Sequence, residues 1–217
     1  MKYYKKKTSS KTNESNLIFI CSLIEKLNYF ISFGTLLGIY RDKQLIEEDD
    51  DIDIYVEIKN RLELLKILDR AEIQYNLEVY PNTSPFFLQI SRKVNNEIGL
   101  IDFYFYETNK SPKKIIIDRW NFAGKPLVDN YHLHIPTKFI FPTKTIKFKN
   151  CRVKVPKDEI NLIRYLYGET WNIKLEKLTQ YRTHILNNKP KIFYGAIGEF
   201  QYLLYKILGL LKIIKFG

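Results

Sequence analysis

The stretch Phe30–Val56, FISFGTLLGIYRDKQLIEEDDDIDIYV, constrains this chain more than any other. Its end alternates Asp51-Ile52-Asp53-Ile54, the period-two pattern of a strand with one apolar face. If the segment is extended, Asp49, Asp51 and Asp53 emerge on one side while Ile52 and Ile54 enter a core. Carboxylates packed this closely repel one another unless a cation compensates them. An all-oxygen set with no Cys or His beside it favours Mg2+ or Mn2+ over Zn2+. Standing alone, the acidic run Glu47 to Asp51 also fits a solvated loop.

The residues before it weigh against the loop. Gly34-Thr35 follows the apolar run Tyr29 to Phe33 and opens a short helical stretch, Leu36 to Arg41. Backbone N–H groups and a hydroxyl at such a point suit an anion, and Arg41 lies nearly two turns further on. Glycine, hydroxyl, arginine and carboxylates together suggest phosphate plus metal; the plainer alternative has Gly34 and Gly38 marking a turn and Arg41 on the surface.

GTLLGIYRDKQLIEEDDDIDI resembles the signature of the LicD family, which includes fukutin-related proteins and belongs to the polymerase-β-type nucleotidyltransferase superfamily. FPTKTIKFKNCRVKVPKDEINLIRYLYGETW, Phe141 to Trp171, resembles the later segment of that family: Phe-Pro, a hairpin, Pro-Lys-Asp, then a helix ending in Tyr-Gly near a Trp. The chain departs from the family at Glu47-Glu48, where Pro-Trp is usual; that bears on local substrate contacts rather than on metal ligands.

The resemblance implies an α+β fold, a nucleotidyltransferase-like mixed β-sheet flanked by helices, with a C-terminal helical extension. It also implies metal-dependent transfer of a substituted phosphate, of phosphocholine or polyol-phosphate type, from a CDP-activated donor to a sugar hydroxyl of a cell-surface glycan. Asp51 and Asp53 would hold Mg2+ or Mn2+ with Asp49 in support, and Gly34, Thr35 and Arg41 would hold the diphosphate. The third metal carboxylate of such enzymes sits on a later strand, where Asp102 matches, and Asp102 would serve as general base. Two alternatives stay open. One is transfer of NMP from an NTP to a protein, RNA or small molecule. The other, ranked lower, is a non-enzymatic nucleic-acid-binding domain, because aligned aspartates repel phosphate without a metal.

Elsewhere the reading is by pattern. The net charge of +11 admits nucleic acid, an anionic membrane or phosphorylated substrates without choosing among them. Residues 1–14 read as a flexible basic arm, 15–190 as the catalytic domain and 191–217 as an amphipathic helix. Leu17, Ile20, Leu23, Ile24 and Leu27 predict a core helix over 16–29. A second helix is expected over Asn60 to Ala71, with Leu62, Leu65, Ile67 and Leu68 inward and Asn60 as N-cap. Strands are expected over Gln74–Tyr80, Phe86–Ser91 and Gly99–Tyr106, the last two forming a hairpin about Asn95-Asn96. In the third, Asp102 shares a face with Leu100 and Tyr104, and a carboxylate in so apolar a strand needs a partner.

His132 and His134 read as surface or turn residues, with a catalytic alternative. Lys147, Lys149, Arg152 and Lys154 form either a basic stripe near substrate or a solvated face. Glu159 to Tyr167 predicts a helix closed by Gly168. Cys21 and Cys151 lie far apart in sequence, read as a reduced pair, and neither looks like a ligand. Ala196 to Phe216 is too short and too charged for a transmembrane span; it is a core or partner-binding helix, or one lying in the membrane interface. The expected location is cytoplasmic, peripheral at the inner face of the membrane if that last reading holds.

Overall fold

In the computed structural model, residues 7–75, 77–80, 87–108, 115–118 and 133–174 are described. The centre is a mixed sheet built on two parallel strands, β2 (Asp51–Glu57) and β5 (Glu97–Thr108). β1 (Tyr29–Ile31) flanks β2 antiparallel, while β4 (Phe87–Val94) and then β3 (Leu77–Tyr80) continue beyond β5. At the far end of β5 it also pairs with β6 (Ile115–Asp118), which pairs with β7 (Leu133–Pro136). β5 is buried on both faces from Gly99 to Tyr106, as a run apolar but for Asp102 requires of a central strand. Asn95 and Asn96 sit at φ 48° and 67°, the pair of left-handed residues that a tight hairpin turn needs, so β4 and β5 pair as expected.

Alternation fixes the two faces of the sheet. Ile52, Ile54, Ile101, Phe103 and Phe105 are all under 2% exposed and share the face covered by α1 (Ser10–Leu23), with α3 (Arg61–Tyr75) placing Arg61 over the Phe105 ring. The other face carries Asp51, Asp53 and Asp102. It is covered by α2 (Phe33–Arg41) and, packed on α2, α5 (Glu159–Tyr167); a short α4 (Thr137–Ile140) packs on α5. An antiparallel hairpin, β8 (Lys144–Phe148) and β9 (Cys151–Val155), packs on α1 and β1. The molecule is thus the α+β mixed sheet flanked by helices that the resemblance implies.

Several expectations need correction. The first helix spans Ser10–Leu23 rather than 16–29, and Tyr29–Ile31 is a strand. Its Ser9 N-cap is tied to Glu97, and its first half buries polar Thr12, Asn13 and Asn16, which leave no apolar signal. Residues 10–14 are therefore helical and not part of an arm. In α3 the inward residues are Leu64, Leu68 and Ala71, while Leu62 is 70% exposed. Asn60 ends a 3-10 turn and its Oδ1 has no hydrogen-bond partner among the described residues, so it does not cap. α5 runs Glu159–Tyr167 as expected, with the Gly168 N–H donating to the Arg164 carbonyl at 2.7 Å, and Trp171 packs against the core.

Cys21 and Cys151 are both buried and free of any disulfide, on α1 and β9, which pack together. The helix expected over Ala196–Phe216 lies outside the described residues. Among those described, no helix is long and apolar enough to cross a membrane.

Candidate metal and phosphate site

The parallel register sets Asp53 of β2 beside Asp102 of β5, so the two carboxylates share a face, and Asp51 stands on the same face at the start of β2. Asp53 and Asp102 are each 5% exposed. Burial raises Asp51, and the charges of Asp53 and Asp102 both bear on it, raising it further. Asp49 is not on the strand, contrary to expectation: the chain turns at Glu48, whose φ is 62°, and Asp49 precedes β2. Its carboxylate still reaches the cluster, lying where a glycine is required. A Cβ on Gly34 would stand 2.5 Å from Asp49 Oδ2 and 3.5 Å from Asp53 Oδ2. Asp50, which the strand pattern passes over, joins them: carboxylate oxygens of Asp49, Asp50 and Asp51 lie within 4.8 Å of one another.

The start of α2 is bound to the strand. The Gly34 N–H donates to Asp53 Oδ2 at 3.0 Å, and the Asp53 N–H donates to Thr35 Oγ1 at 2.8 Å. The anion facing this helix start is therefore the protein's own Asp53. Phe33, just before, is held at φ 43°, a strained conformation for a bulky residue that costs on the order of 1–3 kcal/mol. Ring contacts with Tyr55 and Tyr104, at 5.4 and 5.3 Å between centroids, hold it there. Arg41, at the far end of α2, has a side chain only 5% exposed and grips Asp42 with two bonds of 2.8 Å. The pairing lowers the Asp42 carboxyl, and the same charge acts on Asp49.

Two further residues hold the carboxylates. Gln89 on β4 lies opposite Asp102 and donates from Nε2 to Asp102 Oδ1 at 2.7 Å. The Tyr104 hydroxyl, itself buried, donates to Asp53 Oδ1 at 3.3 Å. Tyr104 was within reach of sequence reasoning, since it follows Asp102 by one pleat; Gln89 was not, because its place depends on the β4–β5 register.

Electrostatics describe a site short of positive charge. Burial, then the Asp50 charge, raise Asp49 to about 7. Burial raises Asp102 to about 7 as well, although Gln89 works against it. Asp51 and Asp53 are pushed well up by burial and then by neighbouring carboxylates. Oxygen donors that converge while their charges repel fit a hard divalent cation, and no Cys or His stands among them.

The other candidates lie elsewhere or are engaged. Lys154 Nζ donates to the carbonyls of Glu25 and Leu27 at 2.7 and 2.8 Å, and Lys149 pairs with Glu14 at 3.5 Å. Lys147 and Arg152 are exposed cross-strand neighbours. His134 is on β7, its backbone opposite Ile117, and His132 lies outside the described residues.

The mouse protein named ribitol-5-phosphate transferase FKTN is 26% identical over 151 residues, which are 68% of this chain and 30% of that protein. The chain therefore spans well under half the length of that relative. The antibiotic-resistance factor ANT(2″)-Ia, solved in solution, shares 12% identity at a TM-score of 0.43, covering 93% of this chain and 94% of that one. An antigenic nucleotidyltransferase-like protein from Paracoccidioides brasiliensis shares 12% at 0.44, covering 95% and 92%. Both are remote likenesses. The LicD/FKTN/FKRP nucleotidyltransferase domain matches residues 26–158, a stretch containing every aspartate of the cluster, and the chain belongs to that family.

Proposed function

We propose that this chain is a metal-dependent phosphotransferase, moving a substituted phosphate from a CDP-activated donor to a sugar hydroxyl of a glycan. The observation that carries the reading is the approach of Asp49 and Asp53 to the start of α2, with Asp102 beside Asp53 and Asp51 on the same face of the sheet, inside the family match. The activity for which the mouse relative is named, ribitol-5-phosphate transfer, favours a polyol-phosphate donor over phosphocholine.

In this reading Asp51 and Asp53 hold one or two Mg2+ or Mn2+ ions, with Asp49 and Asp102 beside them. When bound, the cation neutralises charge at the transferring phosphorus and makes the acceptor hydroxyl more acidic. Asp102 takes the acceptor's proton as general base, its Oδ1 held by Gln89. Gly34 and Thr35 fix Asp53 at the first turn of α2, and Arg41, at the other end of that helix, would supply positive charge toward the donor diphosphate. Catalysis of this kind rests on positioning and charge rather than on a covalent intermediate.

The test is a donor screen followed by product analysis. Purified protein with Mg2+ is scanned against CDP-alcohols and NTPs for protection from thermal unfolding. CMP is expected only when donor, divalent metal and a hydroxylated glycan acceptor are all present. Pyrophosphate in solution, with the acceptor heavier by a nucleotide, would instead mean NMP transfer by the same aspartates.

A further inference from the structure

The family match begins at residue 26, so α1 lies outside it, yet the segment leading into α1 and its first turns are bound to the carboxylate loop. Lys7 pairs with the Glu48 carboxylate, both side chains more than half exposed, and such a surface pair contributes little. The other contacts are firmer. The Thr8 N–H donates to the Asp49 carbonyl oxygen at 3.3 Å, and Asn13 Nδ2 donates to the same oxygen at 3.0 Å.

Asn13 is wholly buried, at 0% exposure, and its Oδ1 has no partner among the described residues. An amide in such a place is unfavourable unless it is bonded, and the bond this one makes is to Asp49. Gly99 lets the helix come this close: a Cβ there would stand 2.3 Å from Asn16 Nδ2 and 3.1 Å from Thr12 Cγ2. The loop needs holding, because Glu48 is in the left-handed region and Asp49 lies outside the strand ladder. Two donors on one carbonyl fix the peptide plane after Asp49, and with it the direction from which the Asp49 carboxylate comes against Gly34.

We infer that Asn13, together with the Thr8 N–H, is a positioning residue for the Asp49 carboxylate and sets the loop geometry on which divalent-cation affinity depends. This rests on the reading of the carboxylates as a metal site.

The test uses the full chain with Mn2+ alone as probe, free Mn2+ being read by electron paramagnetic resonance. Asn13→Leu has similar bulk and no donor. Asn16→Leu perturbs the same buried face but acts on a residue that bonds Arg92 rather than the loop. Asn13→Leu is expected to weaken Mn2+ binding by about 10-fold, the low end for partners that orient a ligand. Asn16→Leu should lower the melting temperature comparably and keep wild-type affinity. Thr8→Pro, which deletes the second donor outside the helix, should weaken Mn2+ in the same direction and decides the matter if Asn13→Leu does not fold. Wild-type affinity in both Asn13→Leu and Thr8→Pro overturns the inference, as does an equal loss in Asn16→Leu. Absence of Mn2+ binding by the wild type removes the metal reading and this inference with it; unchanged binding in the variants removes this inference alone.

Discussion

Asp102 illustrates what a single side chain can reveal. A lone carboxylate in an apolar strand demands a partner, and Gln89 supplies one, with Asp53 beside it in the parallel register. The demand is legible in one dimension; the identity of Gln89 is not, because it follows from strand register. Two predictions belong here. Asp53→Asn should abolish transfer, and Asp102→Asn should lower the rate by roughly 10²-fold or more as a lost general base. Gln89→Leu should lose about 10–100-fold in turnover or Mg2+ affinity, as when the residue orienting a ligand is removed, with little change in melting temperature. Steady-state kinetics alongside thermal melts checks both, and a Gln89→Leu enzyme at wild-type turnover would show that the amide is ornamental.

Among the elements, those with local signals were readable and those stabilised by tertiary contacts were not. The β4–β5 hairpin is announced by Asn95-Asn96, and α5 by its apolar spacing and Gly168. α1 hides its beginning because its first half buries amides and hydroxyls against Glu97, Gly99 and the Asp49 loop instead of apolar side chains. Spacing alone sets Asp49 on the strand and cannot show that the chain turns at Glu48. In α3, Leu62 breaks the pattern: helical spacing from Leu64 through Leu68 to Ala71 defines the inward stripe and leaves Leu62 outside it. Leu68→Ala is accordingly expected to destabilise by about 2–5 kcal/mol, and Leu62→Ala to stay within about 0.5 kcal/mol of wild type. Urea melts of the two variants separate these outcomes; equal losses would mean that α3 is rotated from the orientation described.

For the molecule as a whole, the carboxylate cluster links stability to pH and to metal. Asp49 and Asp102 titrate at about 7, and Asp51 and Asp53 are raised as well, chiefly by burial. In the unfolded chain an aspartate titrates near 3.9, about the same for each. Between those values the native state holds more protons than the unfolded one, so stability falls as pH rises through the window. The favourable contribution is complete below about pH 4 and is lost by the time pH passes about 7. A divalent cation reverses the sign, because it binds the deprotonated oxygens and only in the folded arrangement. In chelator, then, the melting temperature should fall from about pH 5 to about pH 8. Mg2+ or Mn2+ should raise it at the upper end, by an amount corresponding to about 2.7 kcal/mol at a hundred times the dissociation constant, and have little effect at the lower end. Asp51→Asn and Asp53→Asn combined should remove the metal response and make the profile shallower, while the part carried by Asp49 and Asp102 stays. A melting temperature in chelator that stays level or rises across the window would mean that these carboxyls are already charged in the metal-free fold. Their convergence around Gly34 would then need another source of positive charge than a bound cation.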